Sequence, residues 1–373
     1  MKSLRPCVAA TWIVLVIANV SVAQPARRPP IESPIVKPDR TVTFCFRAPN
    51  AKLVEVNTQF TKGNQALVKD ESGDWSVTLG PVQPNLYPYH FIVDGISVAD
   101  PSNLDLFPNE RFKSSLVNIP GHSTIDYTNQ DVPHGKVETC FYHSKTLDSM
   151  RPLLVYTPPR YAESAERYPV FYLVSGTTDT EETWFKVGRA NFILDNLIAN
   201  KKATPMIIVM PYGNMMMPAP NPSSPQAADM YRRFSDELIG NILPFVESNY
   251  RVKTDRESRA IAGFSRGGGQ SLFTGFANMD RFAWIGSYSA YLTSEVINLH
   301  FQELVEKPSE TNIKLKLLWV GVGKEDFLYD ASQKFDALLK EKGIEHTSLV
   351  TEGGHTWMNA RHYLHETLQR YFK

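Results

Sequence analysis

A chain of 373 residues is longer than one hydrophobic core usually serves, so we expect one large domain and a smaller one. Lys plus Arg and Asp plus Glu are equal at 39 each, which argues against a surface for nucleic acid or an anionic membrane. Hydrophobic residues at 42% and aromatic residues at 11% exclude disordered and collagen-like classes.

The first 23 residues have the pattern of a secretory signal peptide. Basic Lys2 and Arg5 precede a mostly apolar run, and Ala23 ends a small-residue cleavage site. A membrane anchor is the alternative, which the shortness of the run and the presence of Asn19 disfavour. We therefore expect an exported or periplasmic protein whose mature chain begins near Gln24.

Cysteine usage does not indicate a disulfide framework. Cys7 would leave with the signal peptide, so Cys45 and Cys140 remain. They lie far apart in the sequence, and we expect two unpaired thiols.

The next segment, residues 24–40, is rich in proline and lacks helical periodicity, so it is predicted to be an extended linker. From residue 41 to residue 125 apolar and polar residues alternate, as in Val42, Phe44 and Phe46. Turn signals separate these stretches, and the pattern predicts a small immunoglobulin-like sandwich. No motif in it carries chemistry.

This sandwich resembles the early-set module found beside glycogen-branching enzymes and some esterases. The resemblance rests on the stretches Arg47–Ala51 and Phe91–Gly95, the latter followed by Asp100 and Pro101. Such modules bind α-glucan in some relatives, but Trp75 alternates with other apolar residues as a core side chain would. We expect a spacer, or a wall that shapes the neighbouring active site.

Residues 126–373 alternate short apolar runs with helical patterns, which predicts an open, doubly wound sheet of the α/β-hydrolase type. The predicted strands are Leu153–Tyr156, Val170–Val174, Met206–Met210, Arg259–Ala262, Trp284–Ser287, Leu315–Val320 and Thr347–Val350. The predicted helices are Ala190–Asn200, Asp229–Glu247, Gly268–Asn278, Ala331–Lys342 and a last one that includes Ala360–Tyr371. Ligand sites in such sheets lie beyond the carboxyl ends of the strands.

One glycine-flanked serine lies at a predicted strand-to-helix turn. Ser265 is the centre of Gly263–Gly269, which has the composition of a nucleophile elbow. The backbone N–H of Arg266 would then lie near a helix N-terminus, where it can donate to a developing oxyanion. An ordinary glycine-rich turn is the alternative interpretation of this motif.

A serine hydroxyl needs a base and an orienting carboxylate to act as a nucleophile at neutral pH. Asp326 follows one predicted strand and His355 follows the next, which reproduces the chain order of α/β-hydrolases. Glu325 and Asp330 are alternative acids close by. The sequence thus predicts a catalytic triad of Ser265, Asp326 and His355.

Loops on the same predicted face supply further candidates. The second oxyanion donor is expected from the backbone N–H of Thr177 or of Gly176. The following residues are expected to line a groove for a flat acyl group, with Gly176 giving the substrate close access to the main chain: Trp184, Phe327, Tyr329, Trp357 and the run Met215–Met217. The pair His362 and His365 lacks a third ligand motif, so we interpret both as surface residues and not as a metal site.

Together these stretches resemble carbohydrate esterase family 1, the esterase D-like group that includes feruloyl and acetylxylan esterases. The resemblance covers about residue 135 to the end of the chain and rests on the following stretches: Gly188–Asn191, Asp195–Ile198, Ile207–Pro211, Gly263–Gln270, Gly323–Asp326 and Gly353–His355. It implies the same triad and favours Asp326 over Glu325. Many relatives have His where this chain has Ser175 and Met where it has Arg266, so the oxyanion loop and the pocket mouth are expected to differ.

The resemblance implies a secreted serine esterase that removes acyl groups from plant cell-wall polysaccharide such as xylan, and ferulate is the acyl group that we expect. An acetylxylan esterase is the alternative, and a trilactone-siderophore (enterochelin-type) esterase is a more distant one. An inactive carbohydrate-binding protein is the alternative from another class. No metal or organic cofactor is expected, and the expected partner is an acylated polysaccharide or oligosaccharide, with no nucleic acid.

Overall fold

Three β-sheets organise the part of the chain that the structure describes, two in its amino-terminal part and one in the remainder. The computed structural model describes residues 28–121, 125–215 and 225–373. The predicted signal peptide, residues 1–23, lies outside the described residues. Within the described residues no helix is long and apolar enough to cross a membrane.

The amino-terminal part is an all-β sandwich, as the alternation of its residues predicts. Its strands are β1 (Ile35–Val36), β2 (Val42–Arg47), β3 (Val54–Thr58), β4 (Gln65–Ala66), β5 (Val68–Lys69), β6 (Asp74–Leu79), β7 (Asn85–Val93), β8 (Ile96–Val98), β9 (Leu106–Phe107) and β10 (Ser114–Ile119). One antiparallel sheet has the order β1-β2-β6-β5, and the other has the order β4-β3-β7-β10-β9 with β8 paired to β7. Trp75 is buried in the core between them, as expected, with its Nε1 donating to the carbonyl of Ala48.

The end of the predicted linker is part of this sandwich. Strand β1 pairs antiparallel with β2, with Ile35 opposite Thr43, and the buried hydroxyl of Ser33 accepts the N–H of Cys45. The linker prediction is therefore wrong at this end, because prolines flanking a two-residue strand leave its own N–H groups free to pair at a sheet edge. Cys45 and Cys140 are free thiols.

The second part has one eight-stranded sheet. Its strands are β11 (Lys136–Ser144), β12 (Ser149–Thr157), β13 (Val170–Val174), β14 (Ile207–Pro211), β15 (Arg259–Phe264), β16 (Trp284–Tyr288), β17 (Leu317–Gly323) and β18 (Thr347–Thr351). Their order is β11-β12-β14-β13-β15-β16-β17-β18, with the first two strands antiparallel and the other six parallel. All seven predicted strands are present, and the crossed order is that of the predicted α/β-hydrolase fold. The carboxyl ends of β13, β15, β17 and β18 consequently meet at one edge.

Helices cover both faces of this sheet. They are α1 (Thr183–Lys186), α2 (Ala190–Ala199), α3 (Pro225–Glu237), α4 (Leu243–Asn249), α5 (Arg266–Ala277), α6 (Ser294–His300), α7 (Gln302–Glu306), α8 (Pro308–Lys314), α9 (Tyr329–Glu341) and α10 (Trp357–Leu368). The predicted single helix Asp229–Glu247 is divided by a π-helical segment, Leu238–Ile242, just before Pro244. Proline lacks the N–H that a continuous helix needs there, which accounts for the break.

The sandwich and the hydrolase sheet share one apolar core. Leu86 and Phe107 of the sandwich pack in the same cluster as Trp184 and Trp357 of the second part. The buried guanidinium of Arg361, on α10, donates to the carbonyl of Leu86 at 3.2 Å and to that of Val187 at 2.7 Å. Hydrogen bonds from a buried cation across this boundary fix the sandwich against the hydrolase sheet.

Candidate active site

Ser265 occupies the sharp turn between β15 and α5. Its backbone has φ 57° and ψ −124°, a conformation that costs a non-glycine residue about 1–3 kcal/mol. Its N–H donates to the carbonyl of Tyr288 at 2.8 Å, which holds the strained residue in place. A Cβ on Gly263 would lie 2.5 Å from the carbonyl carbon of Gly267, so this turn requires glycine where the strand crosses the helix. The turn presents the serine at the edge where the parallel strands end.

His355 and Asp326 form a hydrogen-bonded pair beside this serine. Nδ1 of His355 lies 2.9 Å from Oδ2 and 3.0 Å from Oδ1 of Asp326, and the N–H of Leu328 donates to the same carboxylate at 2.8 Å. Burial by itself raises the pKa of Asp326, but the hydrogen bond and charge of His355 and the Leu328 N–H outweigh it and hold this pKa below its usual value. Glu325, the alternative acid, is exposed to solvent.

All three predicted triad residues thus come together where β15, β17 and β18 end, and Ser265 and His355 line the same cavity of about 1100 Å³. The side chains of Ser265 and His355 make no direct hydrogen bond to each other, as is common before substrate binds. The His355 ring lies between two aromatic rings, 4.7 Å from that of Phe264 and 4.6 Å from that of Phe327. These rings restrict the imidazole to the orientation that its bond to Asp326 defines.

The loop after β13 approaches the serine closely. A Cβ on Gly176 would lie 3.5 Å from the Cβ of Ser265 and 2.8 Å from Oδ2 of Asp179. The N–H of Gly176 donates to this same carboxylate at 3.1 Å. Thr177 is exposed and lines the cavity. Of the two alternative oxyanion donors, the N–H groups of Gly176 and Thr177, only that of Thr177 is therefore left for substrate. The N–H of Arg266 begins α5, where helical N–H groups lack intrahelical partners.

The side chain of Arg266 is not at the pocket mouth, and that expectation is wrong. It is 3% exposed, and its guanidinium lies beside Gly213 in the loop after β14. Burial lowers the pKa of Arg266, while the carboxylates of Asp179 and Glu110 counteract that effect. The charge of these two carboxylates stabilises the guanidinium in its buried position.

The predicted aromatic groove is only partly present. Phe327 and Trp357 line the cavity, and Phe327 is 76% exposed. Trp184 is 1% exposed, packs against Trp357 at 4.8 Å and donates its Nε1–H to the carbonyl of Val174 at 2.9 Å. Its predicted contact with substrate is therefore wrong, because the indole supports the cavity wall from behind.

Of the other residues predicted for the groove, those that the structure describes do not line the cavity, and neither does the histidine pair on α10. Tyr329 is not among the residues that line the cavity, and Met215 is buried in the hydrophobic core. The other two residues of the methionine run, 216 and 217, lie outside the described residues. His362 and His365 are half-buried on α10, and the described part of the chain contains no cluster of three or more potential metal ligands.

One wall of the cavity comes from the sandwich, which sequence reasoning did not assign to particular residues. The lining side chains from this part include Asn57 on β3, His90 on β7 and Ser97 on β8, together with Arg111 and Lys113 before β10. In the sequence Asn57, His90 and Ser97 have the pattern of the solvent-facing half of alternating strands. Nothing in that pattern distinguishes a face that meets water from a face that meets a substrate cavity.

Comparisons with known proteins agree with this architecture. The Esterase family model matches residues 144–371. An endo-1,4-beta-xylanase/feruloyl esterase of Xylanibacter ruminicola is 30% identical over 362 residues, which cover 94% of this chain and 47% of that protein. This chain spans less than half the length of the curated relatives it matches.

Solved structures show the same fold. A ferulic acid esterase is 28% identical, with a TM-score of 0.55 over 63% of this chain and 97% of its own. The enterobactin esterase of Shigella flexneri is 18% identical, with a TM-score of 0.65 over 88% of this chain and 92% of its own. The family model and the two relatives named for feruloyl or ferulic acid esterase activity confirm the resemblance to carbohydrate esterase family 1, and the chain belongs to the Esterase family.

Proposed function

We propose that this protein is a secreted serine carboxylic-ester hydrolase that releases ferulate from xylan through an acyl-enzyme. The observation that carries the proposal is the cavity in which Ser265, at a strained elbow, meets His355 already paired with Asp326. A nucleophile, a base and an orienting acid in this chain order form the machinery of acyl transfer.

The reaction follows from these positions. Nε2 of His355 accepts the Ser265 proton as Oγ attacks the ester carbonyl, and Asp326 stabilises the imidazolium through Nδ1. The N–H groups of Thr177 and Arg266 donate to the oxyanion. As the bond to the sugar oxygen breaks, His355 gives its proton to that oxygen. Water, activated by the same histidine, then releases the acid and restores Ser265.

The shape of the cavity supports an aromatic acyl group. Phe264, Phe327 and Trp357 present rings beside the triad, and stacked or edge contacts with a phenylpropenoyl group are favourable. A volume of about 1100 Å³ is more than an acetyl group needs and leaves room for a sugar. The relative from Xylanibacter ruminicola, named for xylanase and feruloyl esterase activities, supports the same substrate class.

A second candidate is the hydrolysis of a catecholate trilactone. The enterobactin esterase of Shigella flexneri matches 88% of this chain, more than residues 126–373 alone make up, whereas the ferulic acid esterase matches 63%. At 18% identity that likeness supports the fold alone. The Xylanibacter ruminicola relative also spans the sandwich, since its match covers 94% of the chain, and this favours ferulate.

Export is part of the proposal. The basic start, apolar run and small-residue site of residues 1–23 support it. A substrate of plant cell-wall polysaccharide also requires an enzyme outside the cell.

The experiment that tests the proposal compares substrates side by side. Purified protein is given methyl ferulate, acetylated xylan and a catecholate trilactone at equal ester concentrations. We expect the highest kcat/KM with methyl ferulate. A preference for acetylated xylan or for the trilactone would show that ferulate is not the preferred acyl group. If no ester is hydrolysed, the esterase proposal is rejected.

A further inference from the structure

Asp179 holds the loop after β13 by two hydrogen bonds to the same residue. Its Oδ2 accepts the N–H of Gly176 at 3.1 Å, and its own N–H donates to the carbonyl of Gly176 at 3.3 Å. The turn between them contains Thr178 at φ 64°, which is unfavourable for a β-branched residue. A strained turn of this kind persists only when its surroundings define it.

The amino-terminal part supports the turn from the other side. The N–H of Glu110 donates to the carbonyl of Thr178 at 2.8 Å, and Nδ2 of Asn109 donates to Oδ1 of Asp179 at 3.2 Å. The amide of Asn109 is itself oriented, because its Oδ1 accepts the N–H of Arg111 at 3.0 Å. Both oxygens of the Asp179 carboxylate are therefore engaged by fixed donors.

The charge of a buried cation, Arg266, acts on this carboxylate. The three guanidinium nitrogens of Arg266 have no hydrogen-bond partner among the described residues, yet the charge of this group acts on Asp179 and Glu110. Glu110 accepts bonds from Tyr212 and Asn214 through Oε1, while its Oε2 is unpartnered. The charge of one buried cation thus acts on two carboxylates, and that cation belongs to the residue directly after the nucleophile.

Among the described residues, the loop leaves the N–H of one cavity-lining residue without a partner. Asp179 takes the N–H of Gly176, whereas the N–H of Thr177, one residue further, makes no hydrogen bond within the described ranges. Thr177 lines the cavity next to Ser265. The direction of this N–H depends on the turn that Asp179 holds.

We propose that Asp179 is a positioning residue that directs the Thr177 N–H to the oxyanion, and that Asn109 of the amino-terminal part holds Asp179 for this purpose. The inference rests on the proposed function, since it assigns a role within acyl transfer. Removing an oxyanion donor lowers kcat by roughly 10²–10³-fold, so a misdirected donor has an effect of that order.

The test uses the full chain with Asp179→Ala, Asp179→Asn and Asn109→Ala. The matched control is Glu182→Gln, an exposed acid nearby that pairs with Lys186. We expect Asp179→Ala to lower kcat for p-nitrophenyl acetate by roughly 10²-fold with little change in KM. Asp179→Asn keeps an oxygen for the Gly176 N–H and should recover part of the loss. Asn109→Ala should show a smaller loss in the same direction, and Glu182→Gln should match the unsubstituted protein.

Two inhibitors separate positioning from general damage. Phenylboronic acid forms a tetrahedral adduct with a serine and needs the oxyanion donors, whereas ferulate occupies the cavity without one. Asp179→Ala should weaken the binding of phenylboronic acid by the same factor as it lowers kcat/KM. The inhibition constant of ferulate should not change. Equal weakening of both inhibitors, or an unchanged kcat, would overturn the inference. If Asp179→Ala does not fold, Asp179→Asn and Asn109→Ala carry the same comparison.

The boronate measurement also separates the two proposals. It needs no turnover, so it reports on Asp179 even if the unsubstituted protein hydrolyses none of the esters. In that case the proposed function fails, and the effect of Asp179→Ala on boronate affinity still decides the positioning role.

Discussion

Nδ1 of His355 lies within 3.0 Å of both carboxylate oxygens of Asp326, a buried residue that precedes it by 29 positions in the sequence. This bond leaves Nε2 free to face the cavity. The pair is supported by the N–H of Leu328 on the acid and by two aromatic rings on the base. The geometry distinguishes Asp326 from its neighbour Glu325.

Asp326→Asn should therefore lower kcat by roughly 10³–10⁴-fold, because an amide neither fixes the productive tautomer of His355 nor stabilises its cation. Glu325→Gln is the matched control, since the residue is adjacent and exposed, and it should change kcat by less than about threefold. Initial rates with p-nitrophenyl acetate measure both. A small loss of kcat in Asp326→Asn together with a large loss in Glu325→Gln would show that Glu325 is the acid of the triad.

Phe327 should contribute selectivity for an aromatic acyl group. Its ring is largely exposed in the cavity and lies 4.6 Å from that of His355. An aromatic contact of about 1 kcal/mol plus buried area predicts that Phe327→Ala lowers kcat/KM for methyl ferulate by roughly tenfold more than for methyl acetate. The ratio of the two esters is the readout, because any loosening of His355 affects both equally. An unchanged ratio would remove Phe327 from the acyl pocket.

The sandwich wall should affect glycan esters selectively. Asn57 and His90 line the cavity on the sandwich side. Loss of one hydrogen bond to a sugar, about 1 kcal/mol, predicts that Asn57→Ala or His90→Ala raises KM for a feruloylated arabinoxylo-oligosaccharide by roughly fivefold. KM for methyl ferulate should not change. Thr78→Ala, on the other sheet of the sandwich, is the control. Equal effects on both esters would contradict a glycan contact.

Arg266→Met should move the pH dependence. Burial raises the pKa of Asp179, the charge of Arg266 and the Gly176 N–H lower it, and Glu110 raises it, so that together they bring this pKa to about 7. Removing the cation makes the ionised carboxylate less favourable, so the pKa of Asp179 rises further and a higher pH is needed to ionise it. The acid limb of kcat against pH should shift upward in Arg266→Met, and this shift should be absent when Asp179→Asn is also present. A downward shift, or none, would contradict the coupling.

The fold was largely predictable because hydrophobic period and chain order are local properties. Alternation predicted strands such as β2 and β7, and continuous apolar runs predicted the parallel strands. Three loops that follow parallel strands must meet at one edge, so the proximity of Ser265, Asp326 and His355 also followed from the sequence. Their catalytic roles stay predictions that the experiments above test.

Side-chain direction and long-range docking were not predictable. Arg266 follows the nucleophile in sequence, but its side chain is buried, and the charges of Asp179 and Glu110 stabilise its guanidinium there. Trp184 is an aromatic residue in a loop, as a pocket residue would be. Its indole N–H nevertheless donates to the carbonyl of Val174 at the end of β13, and the side chain is buried. Asn109 lies 70 residues before Asp179, and no periodicity in either segment indicates that they meet.

The most direct test of the account is ferulate release from a feruloylated arabinoxylo-oligosaccharide by the full chain and by Ser265→Ala. We expect the unsubstituted protein to release ferulate and Ser265→Ala to be slower by roughly three orders of magnitude or more, with an unchanged circular dichroism spectrum. His355→Ala should behave alike, with His362→Ala as its control. Ferulate release by Ser265→Ala at a near-normal rate would contradict the central claim that this serine is the nucleophile.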